Sequence, residues 1–402
     1  MTAGEPAGGG TARALTAWFA SRLGGILVPL AAAVLAFLVG GLAIVATGHS
    51  PFGAYLAIFE GTGLNYPFPW LEERERAAAA RNLQQTLIVA TPLMLTALAV
   101  AFAFRCGMFN IGGQGQYWVG LIAALFVGTQ VELPSFVHVV ACIVAAIVAG
   151  AIWGGIAGIL KATVGAHEVI STIMLNWIAI FGGKYLFELG GPLQGTQEFI
   201  PRSASVLDSA RLPAIWGNLQ PLHAGIFISL AALVVYHLVL NRTTLGYEVR
   251  AVGFNPEAAR YGGISVSRNY FLAMAIAGTF AGLAGALDLL GWKSHVATGD
   301  FDVGVLGFVG IAVALLGRNK AVGILLAALF FAALQVGTST RQLDPSVFPP
   351  QLAVNLSTII QALIILFVGA ELLIVSIWGA RRHIRSGPRR VQPALVEPEA
   401  TE

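Results

Sequence analysis

The sequence predicts an all-α transmembrane protein, a polytopic helical bundle of about ten spans with the N-terminus and the C-terminus cytoplasmic. Three observations predict it. Of 402 residues, 56% are hydrophobic and only 11% charged, whereas a soluble domain carries about 25% charged residues. Apolar runs recur along the chain at the length, roughly 20 residues, that crosses a hydrocarbon core about 30 Å thick. Lys and Arg fall unevenly on the connections between those runs. So little charge cannot cover a soluble surface, which excludes a soluble enzyme, a disordered chain and a nucleic-acid-binding protein. The net charge of +3 says little about partners.

In chain order, residues 1–22 form a Gly/Ala-rich cytoplasmic segment with no cleavable secretory signal. A transmembrane domain then covers 23–379, with spans at about 23–47, 83–104, 109–129, 136–160, 168–187, 222–240, 269–291, 303–317, 321–338 and 353–379. With the N-terminus inside, 15 of the 23 basic residues fall on the cytoplasmic side, among them Arg250, Arg260 and five arginines after residue 380. The opposite orientation inverts this bias. Two external segments are long. Residues 48–82 include Trp70–Arg76 and an alanine run, read as a short surface helix, and 188–221 is rich in Gly, Pro and Ser. The long internal connection is 241–268, and 380–402 is a basic, then Pro- and Glu-containing tail expected to be disordered.

Gly150, Gly154 and Gly158 in the fourth span, and Gly278 and Gly282 in the seventh, form small-xxx-small stripes that let helices approach closely. Pro92 removes a backbone donor inside the second span, so a kink is expected there. Cys106 and Cys142 read as packing residues, and no metal-ligand cluster is present.

Polar chemistry enters the membrane in two stretches. Phe109–Tyr117 places Asn110, Gln114 and Gln116 among glycines at the start of an apolar run. These amides need partners at low dielectric. They either bond helix ends near the interface or shape a polar path at a discontinuous helix. In the second stretch Glu168, either Ser171 or Thr172, and Asn176 can share one helical face. Position 171 is Ser, so His167-Glu168 does not open a zinc-protease motif. Asp288 lies near the outer end of the seventh span beside Trp292 and Lys293, and Glu371 is an isolated acid within the tenth; the chain of acids that proton coupling needs is not found.

The internal connection has helical periodicity broken at Asn255-Pro256. Asn255 can cap a helix that starts at Pro256, and Gly262-Gly263 can end it. A short helix with Ala258 and Ala259 exposed among charges suits the docking of another protein. The chain has no phosphate-binding Walker motif and no nucleophile–base constellation.

Four ordered motifs, between about residues 80 and 380, carry a resemblance. Phe109–Gln116 resembles the F-N-I-G-x-x-G-Q signature of bacterial ABC importer permeases of the branched-chain amino acid/monosaccharide/nucleoside superfamily. His167–Asn176 is similar to N-E-V-I-S-T-I-M-L-N of the nucleoside-type, basic membrane protein-dependent branch, with His167 in place of the usual Asn. Thr244–Ile264 resembles that family's cytoplasmic coupling loop, and Gly307–Arg318 resembles its late G-F-x-G-I-A-V-A-L-L-G motif.

The resemblance implies the inner-membrane permease subunit of an ATP-driven importer for a nucleoside-type solute, or for a simple sugar. It implies a second, homologous permease, an extracytoplasmic substrate-binding lipoprotein, and a cytoplasmic ATPase with two nucleotide-binding halves. ATP and Mg would sit in that ATPase, with no cofactor in this chain. The coupling pattern carries over onto Gly246, Arg250, Gly253, Asn255, Ala258, Ala259, Arg260, Gly262 and Ile264. A secondary transporter coupled to ions or protons is the rival from another class, disfavoured by the scarcity of buried charge.

Overall fold

The computed structural model describes residues 30–196, 199–217, 221–339 and 349–369. The expected segments 1–22 and 380–402, and Glu371, lie outside the described residues. The described residues are mostly helical. Helix α1 (Leu30–Ala46) meets α2 (Pro51–Thr62) at a bend of 118°. Ser50 caps α2 by accepting from the Gly53 N–H, with Pro51 at the first helical position.

Helix α3 (Glu73–Arg105) is the central pillar. Every residue from Ala90 to Ala103 is buried, because α3 is enclosed by other helices and its sequence there carries no long polar side chain. It runs unbroken through Pro92, and the Thr91 carbonyl beside it accepts from Ser229 Oγ at 3.1 Å. The expected short surface helix at Trp70–Arg76 is not separate. Glu72 and Glu75 form a capping box, and α3 starts at Glu73. A helix of 33 residues spans about 50 Å, so about two fifths of it exceeds an apolar core of about 30 Å.

The other helices follow as α4 (Gly113–Gln130), α5 (Ser135–Val164), α6 (Glu168–Phe187) and α7 (Gly225–Arg242). Two short helices, α8 (Thr244–Phe254) and α9 (Pro256–Tyr261), fill the internal connection. Next come α10 (Val266–Asp288), α11 (Asp300–Val303), α12 (Leu306–Leu316), α13 (Ala321–Gly337) and α14 (Pro350–Gly369). A π-turn, Leu289–Lys293, continues α10. Among the described residues five helices are long and apolar enough to cross a bilayer: α3, α5, α6, α7 and α10 with its π-turn. They fall on five of the ten expected spans. The expected span at 109–129 begins only at Gly113, after a non-helical stretch, and the one at 303–317 holds the eleven-residue α12.

The glycine stripes do what their spacing predicts. Helices α5 and α10 cross in backbone contact, and a methyl group on Gly150 or Gly278 would be driven into the other's backbone. Cys106 and Cys142 are buried and unpaired.

The segment after α6 is tied down rather than loose. Strand β1 (Ala214–Trp216) pairs antiparallel with β2 (Leu222–His223). Ser203 N and Val206 N donate to Val296 O and Ser294 O, both at 2.8 Å.

Candidate functional site: a helix break and a two-helix platform

After α3 ends at Arg105 the chain takes seven non-helical residues before α4. Glycines at 112, 113 and 115 leave room for this geometry and the amides hold it. Asn110 and Gln116 exchange two hydrogen bonds, Asn110 Nδ2 to Gln116 Oε1 at 3.0 Å and Gln116 Nε2 to Asn110 Oδ1 at 3.2 Å. Asn176 of α6 reaches across, donating to Ile111 O at 2.9 Å and accepting from Gly115 N at 2.7 Å. A side chain at 115 would meet Asn176, since a Cβ there would lie 2.9 Å from its Oδ1. Gln114 accepts from Gly307 N of α12 at 2.7 Å, which seats the late glycine motif on the same break. All three amides of the break, with Thr172 and Asn176, are at most 2% exposed. Low dielectric strengthens such bonds and makes them costly to lose.

The structure settles which residue completes the polar face of α6. Glu168, Thr172 and Asn176 share it, whereas Ser171 lies off it and bonds His167 O at 3.2 Å. Thr172 Oγ1 donates back to Glu168 O at 2.7 Å, and Glu168 pairs with Lys161 of α5 at 2.9 Å.

The opposite face of α6 is open and was missed by sequence reasoning. It carries Trp177, Phe181 and Tyr185 at i, i+4 and i+8, exposed by 51%, 61% and 63%. Trp177 and Phe181 stack at 5.7 Å. Trp177 sits at mid-helix. In lipid-facing helices Trp and Tyr concentrate at the interfaces, not at the bilayer centre. Of the five long helices α5 is the most apolar and α6 the least, yet only 22% and 28% of their apolar windows are buried. The lower hydropathy of α6 comes mainly from Glu168, Asn176 and Lys184, not from its open face; that face differs from the mostly aliphatic open face of α5 in carrying the aromatic stripe. The signal was present as W-x-x-x-F-x-x-x-Y, hidden by an aromatic content that packing alone explains. At the end of α6, Lys184 pairs with Asp302, and Phe301 lodges against Gly183, Trp118 and Phe187.

Asp288 is 3% exposed and fully partnered. It accepts from Tyr117 Oη, from Trp292 Nε1 at 2.7 Å and from Lys293 Nζ at 3.0 Å. The lysine lies 5.6 Å from the Trp118 ring. This ties α4 to the π-turn. His223 packs against Gly291 of that turn, and burial pushes its imidazole below the usual value, partly countered by the Asp288 charge.

The internal connection forms a platform at the end of the bundle where α3 finishes. Thr243 caps α8 by accepting from Gly246 N at 3.1 Å. Asn255 ends α8 and caps α9, accepting from Glu257 N and Ala258 N at 3.0 Å each. Gly262 and Gly263 end α9. The nine motif positions divide by role. Gly246 presses on the backbone of Val239 and Leu240, and Gly253 on that of Arg105 and Cys106. Arg250 Nε bonds Gly246 O at 3.1 Å, within its own helix. Ile264 is half-buried, while Ala258, Arg260 and Gly262 are exposed. Ala259, expected to be exposed, is 5% exposed, because the six-residue α9 turns that side onto the bundle. Its Cβ face cannot meet a partner. Two exposed aromatics flank the helix instead, Phe254 at 94% and Tyr261 at 92%.

Comparison with known proteins decides what this arrangement belongs to. The family model described as the permease component of branched-chain amino acid transport systems matches residues 82–369. The chain belongs to this family. It is a multi-pass membrane protein and a transporter subunit, not an enzyme. It is 38% identical over 363 residues to the guanosine ABC transporter permease protein NupP of Bacillus subtilis, covering 89% of this chain and 97% of that one. It is 33% identical to the nucleoside ABC transporter permease protein NupB of Lactococcus lactis, covering 87% and 92%. It is 36% identical to the glucose ABC transporter permease protein TsgB13 of Haloferax volcanii, covering 89% of each. The match begins inside α3 and spans both the break and the platform.

Proposed function

We propose that this chain is one of two permease subunits through which an ABC importer carries a nucleoside across the bacterial cytoplasmic membrane, and that the open face of α6 lines the path. The observation that carries the reading is the exposed aromatic stripe of α6, with a stacked indole and phenyl ring at mid-helix. Flat aromatic faces suit a nucleobase, to which stacking contributes about 1–3 kcal/mol. The two relatives named for nucleosides support the solute class.

In this reading the second, homologous permease faces α6 across the path, and a substrate-binding lipoprotein delivers the solute. A cytoplasmic ATPase with two nucleotide-binding halves, holding ATP and Mg, docks on α9 through Ala258, Arg260 and Gly262 with Phe254 and Tyr261. The bundle has ten spans with both termini cytoplasmic. Asn110, Gln114, Gln116, Thr172 and Asn176 shape the wall of the path by fixing the break, and Glu168 and Ser171 border it.

The test is uptake of labelled adenosine in a deletion strain that expresses the full transporter, with unlabelled nucleosides and pentoses as competitors. Competition by nucleosides, and loss of uptake in Trp177→Ala and Phe181→Ala, is the expected result. Competition by pentoses alone, or normal uptake in both variants, overturns it. The sugar reading has one supporting fact, the glucose permease relative.

A further inference from the structure

An apolar slot of about 460 Å³ opens on the side of the bundle, with no residue of α6 in its lining. Phe102 of α3 and Phe280 of α10 line it, and Tyr236 of α7 packs against both rings, with the three centroids 6.2–6.4 Å apart. Ile228, Val235 and Val239 of α7 form one wall, and Ile276 and Leu283 of α10 the other. The slot is open to the outside of the bundle: Val235 is 50% exposed.

Little polar chemistry in the slot is free. Thr279 donates to Ile276 O of its own helix at 2.7 Å, and Tyr236 donates to Asn319 O at 2.8 Å. The Thr279 hydroxyl, with its hydrogen already donated, is the one polar side chain in the lining and is left with acceptor capacity only, too little to satisfy a nucleoside or an ordered water. Left empty, the walls would forfeit dispersion contacts on one side. Ile228 and Val239 are eleven positions apart, roughly 16 Å of helix. One leaflet of hydrocarbon is about 15 Å deep. The slot is thus one acyl chain long. Arg242 continues the stripe of Val235 and Val239 on α7 at the α8 end, and is exposed. A cation there faces the head group of a lipid whose chain enters from that leaflet.

We propose that this slot is a binding site for one anionic glycerophospholipid, its acyl chain between α7 and α10 and its phosphate at Arg242. The test is native mass spectrometry of the full-length protein purified in detergent, then titrated with phosphatidylglycerol or phosphatidylethanolamine. The wild type should keep one phospholipid through detergent exchange and prefer phosphatidylglycerol. Val235→Trp fills the slot from an exposed position and should lower occupancy at least tenfold. Ile152→Trp, on the open face of α5 (63% exposed), should leave it unchanged. Arg242→Gln should keep the lipid and erase the preference. No lipid retained by the wild type, or equal retention in Val235→Trp and Ile152→Trp, overturns the site. An unchanged preference in Arg242→Gln overturns the head-group assignment.

Discussion

Replacing Asn176 with Ala removes the one side chain of α6 that hydrogen-bonds the break on both sides. The Gly115 N–H loses its acceptor at 2.7 Å and the Ile111 carbonyl loses its donor at 2.9 Å. Orphaning a buried polar group costs about 1–3 kcal/mol in soluble proteins. Side-chain hydrogen bonds within membrane bundles average nearer ~0.6 kcal/mol. The lower figure reflects unfolded chains that find other partners. It does not apply well to Gly115, which is buried with the Asn176 Cα beside it. The half-buried Ile111 is the group better able to find a substitute. The sum is roughly 2 kcal/mol, or about 2 °C in the melting midpoint of a chain this long. The assay is thermal unfolding of the purified, full-length protein, with Ile178→Ala on the exposed side of α6 as control. If Asn176→Ala melts within a degree of that control, the break is held by something other than these two bonds.

Gly278→Val should separate α5 from α10 and reduce folded yield in fluorescence size-exclusion, at a cost of about 1–3 kcal/mol, because the new side chain meets the Gly150 backbone. Burial favours neutral His223 in the fold, so the unfolded chain binds more protons just below its ordinary value, about 6.5. Stability should therefore fall as the pH drops through that value, and His223→Phe should flatten this part of the melting-midpoint profile. Gly253→Val should lift α8 off the end of α3 and, on the proposed function, abolish uptake while the membrane level of the protein holds; normal uptake would show that this seat is not needed for coupling.

Much of this was legible because it is written in local pattern. The five long helices follow from runs of apolar residues, and α9 follows from an Asn-Pro start and a Gly-Gly stop, each with a local backbone reason. The close-packing faces of α5 and α10 were legible because only small residues allow backbones to meet, but that these two faces meet each other was not. What was not legible depends on which side of a residue the rest of the chain occupies. Ala258 and Ala259 look alike in sequence, and only the seating of α9 buries one of them. The same holds for α6. Its polar residues drew attention because polar groups are rare in a span, but burial and mutual bonding consume them. The aromatics, unremarkable by type, occupy the open face. Helix α2 and the early start of α3 were lost because interfacial sequence mixes Pro, Gly and charge as a loop does.

The two halves of the site are closer in structure than in sequence. Gly253 of the platform lies on the carbonyl of Arg105, the last residue of α3. The residues that follow are the break, and Asn176 grips it at Ile111 and Gly115. Opposite Asn176 on the same helix is the aromatic stripe. A displacement of α8 therefore meets the end of α3, then the break, then α6, with no flexible linker between them. Packed interfaces of this kind move between discrete arrangements rather than yielding continuously. Adjacency alone does not prove transmission, because coupling is an energy. The double variant Gly253→Val/Asn176→Ala supplies that measurement. If force travels by this route, cutting it twice should cost uptake little more than cutting it once, whereas independent sites should give effects that add.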